Sequence, residues 1–241
     1  MGLLPGESYA EKIVTWERLA LPIPPEMSFV EATAIPEVFL TAYDALLLQA
    51  RLKAGEAVLI HGVGSGVGTA AVQIARLAGA KTFGTASSDQ KLSRATELGL
   101  DIGINYKRED FSDIVREHTS GRGVDVVLDV VGGPYVEKNL GSLAPLGRLM
   151  LVGLLGGPTT SVDLARIMVQ RLRILGTVLR PRPLEEKIAL SQKFQTLLLP
   201  LFSQNRLKPV VDRVFPLEEA ARAHTYLEEN QSFGKAVLEV S

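Results

Sequence analysis

The sequence predicts an α/β protein built on a doubly wound parallel sheet, and three observations carry that prediction. Apolar runs of strand length alternate with helical patterns through the middle of the chain, as in a sheet with crossover helices. A glycine cluster, Gly62 to Gly68, follows the first such run and opens the first such helix, the place of a phosphate-binding turn. The 241 residues are 46% apolar and 22% charged, enough to enclose a core and too apolar for disorder.

The elements follow in order. Ala57 to His61 is a short apolar strand, and Gly66 to Leu77 a helix that Gly79 can close with a left-handed residue. Lys81 to Ala86 is the second strand; the helix after it, Asp89 to Leu98, places Leu92, Ala95 and Leu98 on one face and ends at Gly99. Ile102 to Asn105 is a brief third strand, Asp110 to His118 a helix, and Val124 to Val131 an apolar strand ending at Gly132-Gly133. Leu146 to Gly153 and Leu172 to Leu179 complete the sheet, with a short helix between them. The flanks differ. An extended piece from Tyr9 to Trp16 and the proline-rich stretch Leu21 to Pro25 precede a long apolar helix, Phe29 to Ala50. After Pro183 come a helix (Leu184 to Phe202), a strand (Pro209 to Phe215), a helix (Leu217 to Asn230) and a last strand (Lys235 to Val240). The terminal strands have no evident partner in the chain and are expected to pair poorly, although lone strands leave backbone groups unsatisfied.

Composition excludes several functions. With 26 Lys+Arg against 27 Asp+Glu, the net charge of −1 gives no basis for capture by nucleic acid or an anionic membrane. The absence of cysteine removes disulfides, thiolate nucleophiles and cysteine-containing zinc sites. His61, His118 and His224 are too scattered to suggest a metal site. No stretch nears the ~18 unbroken apolar residues of a membrane span, and no signal peptide is visible, so a soluble, cytoplasmic protein is expected.

The chemistry sits in His61-Gly-Val-Gly-Ser-Gly-Val-Gly68. Glycines there permit positive φ and let backbone N–H groups approach a pyrophosphate, and the helix N-terminus adds a favourable dipole. The strict G-x-G-x-x-G spacing is not met in any register. The alternative is a tight turn in an unrelated α/β fold.

Together with Ala34-Ile-Pro-Glu-Val-Phe-Leu-Thr-Ala-Tyr43, Asn105-Tyr-Lys-Arg-Glu-Asp-Phe111, Asp129-Val-Val-Gly-Gly133 and Gly234-Lys-Ala-Val-Leu238, this loop resembles the zinc-independent quinone oxidoreductase branch of the medium-chain dehydrogenase/reductase superfamily. The resemblance runs from about Gly6 to the C-terminus. It implies a Rossmann domain for NADP over residues 29–181, a remnant of a GroES-like catalytic domain over 1–28, and helices and strands returning to that domain over 182–241. Gly6 to Glu11 resembles the closing strand of the GroES-like domain, most of which is expected to be missing.

The end of the second strand, Thr85-Ala-Ser-Ser-Asp-Gln-Lys91, bears on the cofactor. An NAD site needs a carboxylate there for the ribose 2′-OH; Asp89 lies further on, where it can cap a helix. Ser88 can donate to a 2′-phosphate and Lys91 neutralise it, and Tyr106 matches a tyrosine lining this pocket in the family, which favours NADPH. The alternative is that Ser88 is only an N-cap and Lys91 a solvated lysine. The resemblance implies that Gly64, Ser65, Gly66 and Val67 lie against the pyrophosphate; Val63 stands where the family has a small residue, and a side chain there can narrow the approach. It places Thr41 beside the nicotinamide, Val131, Gly132 and Gly153, Leu154 and Leu155 along its ribose and carboxamide, and Leu179 closing the pocket. Thr41 can also be a helix threonine bonding back to a carbonyl. His61 reads as a satisfied structural residue rather than a base, and Glu37 suits a helix N-terminus, with a catalytic role as the alternative.

The implied reaction is hydride transfer from NADPH to a quinone or conjugated enone, acceptors that stabilise the hydride without a Lewis acid. An enoyl or alkenal reductase and a catalytically silent NADPH-binding module are the alternatives. The family pairs through the edge corresponding to Arg173 to Val178, which predicts a homodimer.

Overall fold

The computed structural model describes every residue except Pro5, Glu7 and Ser241. In chain order the principal elements begin with helices α1 (Phe29–Thr33) and α2 (Pro36–Tyr43), followed by a π-helical segment (Asp44–Gln49). Then come β1 (Ala57–Ile60), α3 (Gly66–Leu77), β2 (Lys81–Ala86), α4 (Asp89–Glu97) and β3 (Ile102–Asn105). Next are α5 (Phe111–His118), β4 (Val124–Asp129), α6 (Gly133–Ser142), β5 (Leu143–Leu151), α7 (Leu164–Gln170) and β6 (Arg173–Gly176). The chain finishes with α8 (Leu184–Leu197), α9 (Pro200–Ser203), β7 (Val211–Pro216), α10 (Ala220–Glu228) and β8 (Lys235–Glu239).

The long helix expected over 29–50 is broken. Pro36 has no N–H to continue α1 and instead starts α2. Ser28 and Glu31 form a reciprocal capping box at the start of α1. Pro200 likewise divides the helix expected over 184–202.

The chain forms two compact units. One comprises residues 42–64 and 71–177 and holds the sheet. Its six parallel strands run in the order β3-β2-β1-β4-β5-β6, which is the doubly wound arrangement that the alternating pattern predicts. The order reverses between β1 and β4, so the carboxyl ends of those strands mark the place where such folds bind ligands. Both are buried along their whole length, as inner strands covered on two faces must be. Leu59, Phe83, Ile104, Phe111, Val127 and Leu140 belong to the core beside the sheet. Helix α6 follows directly on the strand end at Gly132-Gly133, where the sequence suggests no helix. Glycine at positive φ followed by proline in the first turn instead makes a helix entrance. Strand β5 starts at Leu143 rather than Leu146.

The other unit comprises residues 1–41, 65–70 and 178–241. Here the expectation of poorly paired terminal strands is overturned: β7 and β8 pair in parallel, with Val214 opposite Val237 and Phe215 opposite Leu238. Helix α10 lies between them in the chain and supplies the crossover a parallel pair requires. The expected closing strand at 6–11 includes Glu7, which lies outside the described residues. The described residues of that stretch, and of the extended piece from Tyr9 to Trp16, form no strand. Phe39 packs edge-on against Phe202 at 4.9 Å between ring centres, and Phe194 adds to the same core.

Candidate functional site

Strand β1 delivers the chain to the glycine loop. Gly62 takes a φ of 67°, a conformation glycine adopts without strain, and Val63 donates its N–H to the Thr85 carbonyl at 3.0 Å. The Val63 side chain is completely buried. It fills the space over Gly84, where a Cβ would overlap Val63 Cγ1 and come within 2.8 Å of Leu100 Cδ1. Val63 therefore packs against β2, away from the side where it could narrow the approach to a pyrophosphate, and the compensating small residue stands on β2. Gly84→Ala is expected to cost about 1–3 kcal/mol of stability by overpacking. Adding Val63→Ala should return part of that loss in urea unfolding, and a fully additive double variant would contradict the pairing.

Beyond Gly64, Ser65 forms the helix entrance. Its Oγ accepts from the Gly68 N–H at 3.0 Å and its carbonyl from the Thr69 N–H at 2.8 Å. Gly66 and half-buried Val67 begin α3. A Cβ at Gly66 would meet Lys235 Cδ at 2.7 Å and Val38 Cγ1 at 2.8 Å, and Ser65 forms an isolated parallel bridge with Gly234. Nothing local in the sequence relates Lys235 to this loop, since the two lie far apart along the chain.

At the end of β2, Ser88 caps α4, its Oγ accepting the Lys91 N–H at 3.3 Å. A hydroxyl that accepts in this way still has its own proton to donate. Lys91 is half-buried, and Tyr106 is exposed with its N–H on the Ala86 carbonyl at 3.2 Å. Asp89 stands in the first turn of α4 rather than at the cap, as the sequence had allowed. Its carboxylate accepts from Asn105 Nδ2 at 2.7 Å and from the Arg108 guanidinium at 2.6 Å. These hydrogen bonds, that from Asn105 first, hold its carboxyl below the usual carboxylate range. The nearest acid after β2 is thus engaged on the β3 side, and Arg108 joins the basic groups of this corner, a residue the sequence reading passed over.

The loops after β4 and β5 interlock. Gly156 N–H donates to the Val131 carbonyl at 2.7 Å and Gly133 N–H to the Gly157 carbonyl at 2.9 Å. Gly132, at φ 81°, has no room for a Cβ, which would lie 2.9 Å from the Gly157 carbonyl oxygen. Gly153 is half-buried, and Leu154 and Leu155 are exposed. The Asp129 carboxyl lies beneath this turn. Burial pushes its pKa up, opposed by hydrogen bonds from the Val131 and Gly132 amides and from Asn139.

His61 is fully buried. Nδ1 is 3.1 Å from Thr85 Oγ1 and Nε2 is 2.7 Å from Asn139 Oδ1. Burial lowers its pKa to about 4, so at neutral pH it is an uncharged, fully partnered side chain, the structural residue of the sequence reading. His118 bonds back to the Ile114 carbonyl and His224 meets the Tyr9 hydroxyl. In the second unit, buried Thr41 donates to Glu37 Oε1 at 3.4 Å rather than to a backbone carbonyl, and Leu179 is buried. Among the described residues there is no cluster of His, Asp and Glu able to hold a metal ion, and no helix long and apolar enough to cross a membrane.

A family model described as zinc-binding dehydrogenase matches residues 66–200. The human quinone oxidoreductase is 30% identical over 231 residues, covering 95% of this chain and 68% of that protein. A crystal structure of an NAD-dependent alcohol dehydrogenase superposes with a TM-score of 0.85 at 37% identity, over 97% of this chain and 65% of that one. The CurK enoyl reductase superposes with a TM-score of 0.82 at 32% identity, over 94% and 67%. The chain thus spans about two thirds of the length of these relatives.

Proposed function

The chain belongs to the zinc-binding dehydrogenase family of medium-chain oxidoreductases, and on that premise we propose that it is an NADPH-dependent reductase passing hydride to a quinone or similar conjugated carbonyl. The observation that carries the cofactor choice is the end of β2. The nearest acid after β2, Asp89, is engaged by Asn105 and Arg108, while Ser88 and Lys91 offer a hydroxyl proton and a cation.

The coenzyme, when bound, supplies the hydride. The residues present fit such a group: a strand–glycine–helix turn with Gly62 at positive φ, glycines in both loops after β4 and β5, and a basic corner at β2. In this reading Gly64, Ser65, Gly66 and Val67 present backbone donors and the helix dipole to the pyrophosphate. Ser88, Lys91 and Tyr106 hold the 2′-phosphate. Val131, Gly132 and Gly153 to Leu155 orient the nicotinamide end, and the family resemblance adds Thr41 and Leu179. Orientation and exclusion of water are the protein's contribution to rate. Quinones and enones stabilise the added electron pair themselves, so no strong general acid is required.

Lys91→Ala is expected to weaken NADPH binding about tenfold and leave NADH binding within about twofold, since only NADPH carries the phosphate. Fluorescence titration of both cofactors checks this; equal losses for the two would place Lys91 outside the phosphate pocket. The similarity to CurK favours a second reading, an enoyl reductase, and relative turnover of a small quinone and an acyclic enone separates the two. Binding without turnover would indicate the silent module.

We also propose a homodimer through β6. That strand is the sheet edge, Ile174 and Val178 beside it are exposed, and so are Leu164, Met168 and Val169 on α7. Unpaired apolar edges invite strand pairing. Sedimentation should give a species of twice the chain mass, and Ile174→Lys should return it to monomer.

A further inference from the structure

We infer that His61 and Asn139 are positioning residues for the nicotinamide end of the coenzyme, because the buried hydrogen-bond chain they complete locks the turn after β4 to the ends of β1 and β2. The inference rests on the coenzyme reading above.

The direction of every bond in this chain is set by chemistry. Asn139 Nδ2 donates to Asp129 Oδ2, 2.9 Å away, which leaves the amide Oδ1 as an acceptor. Asn139 Oδ1 then faces His61 Nε2, which must carry the ring proton. His61 Nδ1 is left as an acceptor and takes the Thr85 hydroxyl proton. Thr85 Oγ1 in turn accepts the Gly62 N–H at 3.3 Å. The four side chains are all buried. Reversing any one of them would leave a buried donor or acceptor unpaired. The rings of Phe111 and Tyr135 stand edge-on to His61 at 4.8 and 4.9 Å and block its rotation.

The far end of the chain is the candidate coenzyme loop. Asp129 Oδ1 accepts the N–H groups of Val131 at 2.6 Å and Gly132 at 3.1 Å. The next loop is fastened to this turn: Val152 N–H reaches the Asp129 carbonyl at 2.8 Å and Leu155 N–H the Val130 carbonyl at 3.2 Å. Fixing Asp129 therefore fixes Val131, Gly132 and Gly153 to Leu155 together. In this assignment neither His61 nor Asn139 touches the coenzyme; they act through Asp129.

Two substitutions separate positioning from bulk stability. His61→Asn keeps an amide near the Nδ1 position, within reach of Thr85, and loses the reach to Asn139. His61→Gln places its amide near Nε2 and keeps the donor to Asn139. Amide hydrogen exchange on the full, unliganded chain reads the lock directly. In His61→Asn, exchange at Val131 and Gly132 should quicken about tenfold while Leu59 in β1 keeps its protection, and the Kd for NADPH should rise about tenfold. His61→Gln should restore both to within about threefold of the unaltered chain. Unchanged exchange at Val131 and Gly132 in His61→Asn would overturn the lock, as would loss of protection spread evenly over the sheet. Failure of the unaltered chain to bind NADPH would instead overturn the coenzyme reading, and the role of His61 in it, whatever the exchange data show.

Discussion

Asn139→Leu should lower the free energy of unfolding by about 3–5 kcal/mol, because it leaves two buried polar groups without their partners. The substitution keeps the approximate shape of the side chain, so little of the loss comes from packing. It strands two buried groups: the His61 Nε2–H, otherwise 2.7 Å from its acceptor, and Asp129 Oδ2, otherwise 2.9 Å from its donor. An unpaired buried carboxylate oxygen carries most of the cost. Urea unfolding at neutral pH measures it. A loss below about 1 kcal/mol would mean that the interior relaxes to hydrate or re-pair both groups.

The second large effect is on pH. His61 has an ordinary value of 6.5 and is held at about 4 in the fold, mainly by burial. Between those values the unfolded chain binds a proton that the folded chain does not. Stability is complete above about pH 6.5 and falls as the pH drops toward 4, by about 3 kcal/mol from this one group. Among the groups packed around it, Thr85, Asn139 and Phe111 do not titrate. Tyr135 is neutral here, and Asp129 lies beyond Asn139. Lys138 pairs with Asp110 on the far side of Phe111. Asp110, lowered to about 2 chiefly by its hydrogen bond from Lys138, loses its own contribution in a separate window below its ordinary 3.8. The His61→Gln chain should lack the slope between pH 6.5 and 4, and an unchanged slope in that variant would contradict the assignment.

The sheet was legible because its strands are short local runs rich in apolar residues and several of its turns carry their own glycine, such as Gly79, Gly99 and Gly132. The same local rules explain what was not legible. Pro36 and Pro200 sit inside apolar stretches that read as continuous helices, and only the missing N–H decides that they break. The pairing of β7 with β8 links segments that each look solitary, since partner choice in a parallel pair is made across a crossover. At the site, Ser88 and Lys91 stand in one short stretch and could be read together, whereas Asn139 reaches His61 across 78 positions and gives no sign of it in sequence. Where the Val63 side chain packs could not be read locally, because its complement, Gly84, lies on another strand.

The most direct test of the account is a paired titration of this chain with NADPH and NADH, followed by quinone turnover on the same sample. NADPH is expected to bind saturably and at least about tenfold tighter than NADH. Tighter binding of NADH would contradict the reading of the β2 corner, and binding of neither would contradict the coenzyme site as a whole.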